Sequence, residues 1–224
     1  MTERPKAATQ PEPEAGQNNE WDIDNLPNRL TLFRVALIPI IILCLSLNLA
    51  GFSWIEKGTR LLGWVAALTF VVAAVTDFLD GYIARKREIE TVFGSFLDPI
   101  ADKFLVVSSL ILLLGLERIP ALIVIILVLR EMYITSLRLM ASERGLKVPV
   151  SSLGKWKTAF QMIAIPMLMA YDKPWGIPLP LLGTIFIYLA SLFSLYSAGE
   201  YSVGLLKKLK AMRAKKNQQK KDPS

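Results

Sequence analysis

Four aspartates lie in the segment TDFLDGYIARKREIETVFGSFLDPIADK, between two long apolar stretches. They are Asp77, Asp80, Asp98 and Asp102. An aspartate at the centre of a membrane-spanning helix costs about 2.5–3.5 kcal/mol, so four of them require a large compensating interaction. Hard divalent cations bind carboxylate oxygens and provide such an interaction. The segment therefore predicts a divalent-metal site.

Helical spacing predicts how these carboxylates face one another. Asp77 and Asp80 are three residues apart, and Asp98 and Asp102 are four apart, so each pair shares one face of a helix. Two facing helices then present two carboxylates each to a pair of metal ions roughly 3.5–4 Å apart, an arrangement used in phosphoryl transfer. We expect all four aspartates to be metal ligands.

Small residues and a cation accompany the first aspartate pair. Gly81 and Ala84 continue the helix face of Asp77 and leave it nearly bare, so a bulky ligand can approach the backbone. Arg85 adds a planar cation suited to a phosphate. The alternative is a set of buried ion pairs with nearby lysines and arginines, but ion pairing requires neither the glycines nor the regular spacing.

The pattern D-x2-D-G-x2-A-R-x8-G-x3-D-x3-D resembles the signature of the CDP-alcohol phosphatidyltransferase family, with every fixed position filled. The resemblance covers about residues 28–201. It implies an integral membrane enzyme that transfers a phosphatidyl group from CDP-diacylglycerol, or a related group from another CDP-alcohol, to an acceptor alcohol. It also implies a homodimer. For the cofactor we expect two Mg2+ or Mn2+ ions, with Asp102 as the general base that takes the proton of the acceptor hydroxyl.

The first apolar stretch opens with polar residues on one side of a helix. Asn28, Thr31 and Arg34 fall within an arc of about 120°. Arg34 lies one turn inside the apolar run, so it requires a partner or an anionic ligand. An N-x-L-T-x-x-R motif is similar to the opening of bacterial members of the family, which implies contact with the CDP moiety or closure of the site. The alternative is an interfacial cap whose arginine snorkels to the membrane surface. The predicted CDP-diacylglycerol site thus comprises Asn28, Thr31, Arg34, Asp77, Gly81, Ala84 and Arg85.

A second polar cluster lies on the fourth and fifth apolar stretches. Its cations are Arg130, Arg138, Lys155 and Lys157, and cations at helix ends suit a phosphate group on the acceptor. The segments R-E-x6-R and G-K-x-K-T-x2-Q resemble those of family members that use sn-glycerol 3-phosphate and make phosphatidylglycerophosphate. An inositol-phosphate acceptor also carries a phosphate, and a CMP-forming cardiolipin synthase would share the aspartate motif, so both remain open.

Composition predicts an all-α polytopic membrane protein. Hydrophobic residues make up 53% of the chain and the mean hydropathy is +0.41. Six apolar stretches are long enough to cross a hydrocarbon core of about 30 Å. Lysine and arginine concentrate in alternate connections and in the tail, which predicts that both termini and the aspartate site face the cytoplasm. The resemblance to bacterial members of the family implies that the membrane is the bacterial inner membrane. The predicted spans are 30–50, 61–84, 95–116, 119–140, 153–171 and 177–203.

Charge distribution also limits the domain organisation and the function. We expect a disordered or interfacial extension over 1–27, a membrane domain over 28–204 and a basic tail over 205–224. The net charge of +7 follows the predicted spans instead of forming one soluble face, so nucleic-acid binding is not expected. The chain has no histidine, which leaves the carboxylates as metal ligands and bases. A cation or proton transporter would spread its carboxylates along a path through the bilayer, whereas these cluster near one face.

Overall fold

The computed structural model describes the backbone of residues 26–50, 56–87, 92–143 and 152–221. Side chains are described within 29–50, 60–79, 97–143 and 153–212. The N-terminal extension and five predicted site side chains lie outside these ranges. Those five are Asn28, Asp80, Gly81, Ala84 and Arg85.

Each predicted apolar stretch corresponds to one helix. The helices are α1 (Leu26–Leu49), α2 (Glu56–Arg87), α3 (Val92–Gly115), α4 (Ala121–Glu143), α5 (Ser152–Ala170) and α6 (Leu179–Lys221). A 3-10 turn at Pro174–Gly176 lies between the last two. No strand occurs in the described residues, so the all-α prediction is confirmed for that part of the chain.

Within the described residues, three helices are both long and apolar enough to cross a membrane, in the segments Arg29–Leu49, Arg60–Leu79 and Leu179–Met212. The chain is therefore a membrane protein. Helices α3 and α4 each carry three charged residues within their apolar runs, and α5 carries Lys155 and Lys157 in its first turns. Even α5, with 19 residues, is about 28 Å long. The total of six spans stays a prediction.

The helices alternate in direction, so the site residues collect at one end. Helix α1 packs against α2 and α3, α2 packs on α5, and α6 packs along α5 and α4. The first turns of α1, α3 and α5 thus lie beside the last turns of α2 and α4. We call this the charged end, and we call the end formed by Ala50, Gly115 and Ala170 the opposite end.

The opposite end closes by tight backbone contact and by capping of α5. A Cβ atom on Gly63 would lie 2.6 Å from the carbonyl oxygen of Met169, so α2 approaches the last turn of α5 too closely for any side chain. The Arg118 guanidinium donates hydrogen bonds to the carbonyls of Leu168 and Met169, at 3.0 and 2.6 Å. These carbonyls lie in the last turn of α5, where a cation is favourable.

A second clamp at the opposite end is centred on Asp172. Its Oδ2 accepts hydrogen bonds from the Trp64 indole Nε1 at 2.9 Å and from Arg60 Nε at 2.6 Å. Its Oδ1 accepts from the backbone N–H of Lys173 at 2.7 Å. The Trp64 hydrogen bond, together with those from Arg60 and Lys173, lowers the pKa of Asp172 below its usual value. The clamp joins the start of α2 to the α5–α6 connection.

Helix α6 continues well past the apolar stretch that predicts it, and it runs unbroken through residue 205 to Lys221. The reason is a second, smaller apolar cluster between α4 and α6, formed by Ile134, Ala141, Tyr201 and Leu205. Because Leu205 is buried there, the start of the basic tail packs on α4 and is held in the helix.

Candidate active site

A polar layer separates the second apolar cluster from the main core. On α4, Arg130 and Glu131 lie between Leu127 of the main core and Ile134 of the second cluster. On α6, Ser194 and neighbouring serines occupy the corresponding interval and are buried. The first few turns of α1, α3 and α5, and Asp77 near the end of α2, contribute the remaining polar groups to this layer.

Helix α1 forms an ion pair with α2 and a hydrogen bond with α3, the two helices that carry the aspartates. Arg34 is fully buried, and its Nη1 lies 2.6 Å from Oδ1 of Asp77 on α2. The hydroxyl of Thr31, also buried, donates a short hydrogen bond to the Asp98 carboxylate on α3. The buried arginine therefore has the anionic partner that its position in an apolar run requires.

Three of the four predicted metal ligands lie near enough to interact electrostatically, without converging on one point. Asp77 interacts electrostatically with both Asp98 and Asp102. The Asp77 side chain is 41% exposed, which leaves it accessible to a ligand. Among the described residues no three His, Cys, Asp or Glu side chains converge closely enough to form a complete metal site. The fourth predicted ligand, Asp80, is not among the described side chains.

The donor chemistry fits a hard divalent cation. Mutually repelling carboxylates in a partly buried layer are stabilised by a cation of high charge, and oxygen-only donor sets favour Mg2+ and Mn2+. The chain has no histidine, and its one cysteine, Cys44, lies in the apolar core. Softer metals thus find no imidazole or thiolate here.

Glu131 is the centre of the second polar cluster. Its Oε2 accepts a hydrogen bond from Lys157 Nζ at 2.8 Å and from Arg130 Nη1 at 3.2 Å. Arg130 also donates through Nη2 to the Ser197 hydroxyl at 2.7 Å and through Nε to the Ser194 carbonyl at 3.3 Å. Two of the four predicted phosphate-binding cations are thus already paired within the protein.

The other two predicted phosphate-binding cations face outward. Arg138 is exposed, and its guanidinium carbon lies 5.9 Å from the centre of the Tyr201 ring. Lys155 is exposed at the start of α5. Arg138 also repels Arg130 electrostatically. These two side chains are better placed than Arg130 or Lys157 to contact an incoming anion.

A cavity of about 40 Å³ lies between α3, α4 and α5. Asp102 forms part of its wall, and so do Glu131 and Lys157 of the second cluster. Asp102 interacts electrostatically with both of these groups as well as with Asp77. The two clusters predicted from the sequence therefore meet at Asp102.

An apolar groove of about 710 Å³ runs along α2 and α5. It extends from Trp64 and Leu179 to Asp77 and Thr158 at the charged end. A ligand with long hydrocarbon chains can lie in this groove with its polar end at the aspartates.

Glu131 and the α6 residues Ser197 and Tyr201 were absent from the predicted site. Glu131 could have been noticed as an acidic residue inside an apolar span. Its pairing with Lys157, however, joins residues 26 positions apart on two helices, and a local sequence pattern does not show it. Ser194, Ser197 and Tyr201 recur at i, i+3 and i+7 on one helical face, which is a weaker signal.

Residues 24–196 match the family described as CDP-alcohol phosphatidyltransferase. Relatives named CDP-diacylglycerol–glycerol-3-phosphate 3-phosphatidyltransferase occur in several bacteria. The Bacillus subtilis (strain 168) protein is 39% identical over 182 residues, covering 79% of this chain and 93% of the relative. The Rickettsia bellii (strain RML369-C) protein is 40% identical over 179 residues, covering 80% and 93%. The Haemophilus influenzae (strain ATCC 51907 / DSM 11121 / KW20 / Rd) protein is 38% identical over 185 residues, covering 79% and 91%.

The family match spans most of the chain and includes every described site residue on α1 to α5. Enzymes of this family in general depend on divalent metal ions, in agreement with the all-carboxylate donor set. From the extent of the match and the identity to these relatives, the chain belongs to the CDP-alcohol phosphatidyltransferase family.

Proposed function

We propose that the protein transfers the phosphatidyl group of CDP-diacylglycerol to sn-glycerol 3-phosphate, giving phosphatidylglycerophosphate and CMP. The observation that carries this proposal is the meeting of an aspartate cluster and a cation-rich cluster at Asp102. The relatives' names give the same pair of substrates.

The aspartate cluster and the apolar groove serve the lipid donor. Asp77, Asp80, Asp98 and Asp102 would hold two Mg2+ or Mn2+ ions, which would stabilise negative charge on the pyrophosphate. Arg34 and Thr31 hold Asp77 and Asp98 in place. The acyl chains lie in the groove between α2 and α5, and the groove ends at Asp77.

The CDP moiety lies against the small-residue face of α2. Asn28, Gly81 and Ala84 line this part of the site, and Arg85 contributes a cation to the donor phosphates. The ion pair between Arg34 and Asp77 joins α1 to α2 and closes this side of the CDP site.

The cation-rich cluster serves the acceptor. Arg138 and Lys155 contact the acceptor phosphate first, and Arg130 and Lys157 supply positive charge behind them. Asp102 takes the proton from the C1 hydroxyl of glycerol 3-phosphate as that oxygen attacks the phosphorus bearing diacylglycerol. The bond from this phosphorus to the CMP oxygen breaks, and CMP leaves with the electron pair.

The proposed reaction also requires a particular orientation of the protein in the membrane. Six helices span the bacterial cytoplasmic membrane, both termini and the charged end face the cytoplasm, and the enzyme acts as a homodimer. This orientation is supported by the accumulation of lysine and arginine at the charged end and in the tail.

CMP release by the purified protein with CDP-diacylglycerol and Mg2+ tests the function. Glycerol 3-phosphate is expected to support turnover, whereas myo-inositol 1-phosphate, serine and phosphatidylglycerol are not. EDTA is expected to abolish turnover, and added Mg2+ or Mn2+ to restore it. Turnover with phosphatidylglycerol alone would identify a cardiolipin synthase instead, and turnover with inositol phosphate alone an inositol-phosphate transferase.

A further inference from the structure

Helix α6 is longer than a membrane requires. Its 43 residues extend over about 64 Å, whereas a bilayer including its headgroup regions is about 40–45 Å thick. The helix begins at Leu179, shortly after the exposed Trp175, a residue type that favours the membrane surface. Lys207 lies about 42 Å further along the helix axis. At about this residue, α6 therefore reaches the headgroups of the leaflet at the charged end.

Packing on α4 determines which side of α6 faces away from the protein. Leu205 is buried in the second apolar cluster, and Leu209 packs against the same cluster. At about 100° per residue, Lys207 lies opposite the midpoint of these two leucines. Lys207 is exposed, and so is Lys210, which lies on the neighbouring row of side chains. Both lysines therefore belong to the outer side of α6.

This outer side changes from apolar to cationic along the helix. Tyr196 and Val203 are exposed, and Lys207 follows one turn later on the same row. Leu206 is also exposed, and Lys210 follows it by one turn. Exposed apolar side chains on a membrane helix contact hydrocarbon, whereas lysine ammonium groups extend to the phosphates that border it. The change from apolar to cationic residues agrees with the position of the membrane surface given by the length of α6.

The charge of this part of α6 is almost entirely positive. Residues 201–221 contain eight lysines and arginines and no acidic residue, and one carboxylate, Glu200, precedes them. Each lysine or arginine near an anionic membrane surface strengthens the attraction by about fivefold. Zwitterionic headgroups carry no net charge and lack this attraction. The outer side of α6 is thus complementary to anionic headgroups.

We propose that Lys207 and Lys210 form a binding surface for the phosphates of anionic phospholipids in the leaflet at the charged end. The acyl chains of these lipids lie along Tyr196, Val203 and Leu206. The surface shares no residue with the apolar groove on α2 and α5. It depends on the position of α6 in the membrane and not on the reaction proposed above, so either can fail without the other.

Quenching of a fluorophore by nitroxide-labelled lipids measures which lipid lies at this surface. The full-length protein, in a Cys44→Ala background, carries the fluorophore at Leu206→Cys in phosphatidylcholine nanodiscs. Nitroxide-labelled phosphatidylglycerol or phosphatidylcholine is present at the same small mole fraction. At physiological ionic strength, we expect a relative affinity of at least about fivefold in favour of phosphatidylglycerol, the value for one lysine. About 1 M salt is expected to reduce this preference, because it shortens the range of electrostatic attraction to about 3 Å.

Two sets of variants separate the surface from a general effect of charge. Lys207→Gln combined with Lys210→Gln is expected to bring the preference towards one. Lys173→Gln at the opposite end also removes an exposed lysine, and as the matched control it is expected to keep the wild-type preference. Equal quenching by the two lipids in the wild type, or an unchanged preference in the double variant, would overturn the inference. Quenching by neither lipid would overturn it as well, because the outer side of α6 would then be covered, for example by a second copy of the chain.

Discussion

Asp102 has neighbours from both polar clusters, the one proposed to bind the metal ions and the one proposed to bind the acceptor. It interacts electrostatically with Asp77 of the proposed metal site and with Glu131 and Lys157 of the cation-rich cluster. A base must reach the attacking hydroxyl and also stand beside the phosphorus that is attacked. Among the described aspartates, Asp102 is the one whose surroundings meet both requirements.

We expect Asp102→Asn to lower kcat by about 10²–10⁴-fold, the usual contribution of a positioned base, with smaller changes in either KM. Steady-state CMP release measures this. Glu117→Gln at the opposite end neutralises an exposed carboxylate far from the chemistry and is expected to keep wild-type activity. Recovery of Asp102→Asn at high Mn2+ would show that the residue acts mainly as a metal ligand.

The cations proposed to bind the acceptor divide into paired and exposed residues, and we expect their variants to differ accordingly. Arg138→Gln and Lys155→Gln are expected to raise the apparent KM for glycerol 3-phosphate by about one to two decades, since each removes a charge-assisted contact. The KM for CDP-diacylglycerol is expected to change little. An increase confined to the CDP-diacylglycerol KM would assign these cations to the donor site.

At Gly63, α2 approaches the end of α5 so closely that a Cβ atom would lie 2.6 Å from the Met169 carbonyl oxygen. Gly63→Ala would place a methyl group against a backbone carbonyl that cannot rotate away, so we expect a loss of about 1–3 kcal/mol of stability. Gly199 on α6 is the matched control, because nothing lies within 4 Å of a Cβ atom there. Gly199→Ala is expected to be neutral or slightly stabilising. Thermal unfolding in detergent measures both, and equal midpoints would contradict the close contact.

The Asp172 clamp predicts a pH dependence of stability. Its pKa lies below the value of about 3.9 for an unfolded chain, so the ionised form stabilises the fold above about pH 4. This stabilisation is lost as the pH falls through the lower pKa of the folded state. We expect Asp172→Asn to unfold at a lower temperature than wild type at neutral pH, and the difference to shrink in acid. Lys173→Ala is the control, because that residue contributes through its backbone N–H.

Some features of the helices follow from the sequence, and others do not. Apolar run length sets the position of each helix, because a hydrocarbon core fixes the length that must be apolar. The end of α6 was not predictable in this way, since it depends on Leu205 finding a partner on α4. Spacing within one helix likewise predicts which residues share a face, such as Asp98 and Asp102. Pairings between helices, such as Arg34 with Asp77 or Lys157 with Glu131, depend on helix packing, which a local pattern does not contain.

For the whole molecule, alternation of helix direction gives the two ends different chemistry. The opposite end holds its arginines in structural contacts, with Arg60 on Asp172 and Arg118 on the carbonyls of α5. It also presents Trp175, which is 97% exposed, as expected of an aromatic residue at a membrane interface. The charged end retains exposed cations, including Arg138 and Lys155. The asymmetry matches the rule that lysine and arginine are retained on the cytoplasmic side.

Single cysteines at exposed sites test this orientation and the number of spans together. In a Cys44→Ala background, which removes the one natural cysteine, we expect Glu143→Cys and Lys210→Cys to react with a membrane-impermeant maleimide only from the cytoplasmic side. Lys173→Cys, in the α5–α6 connection, is expected to react only from the other side. Intact spheroplasts and inside-out vesicles expose the two sides separately. Labelling of Glu143→Cys and Lys173→Cys from the same side would mean that α5 does not cross the membrane. Complete reversal of the pattern would place the charged end, and with it the proposed active site, away from the cytoplasm.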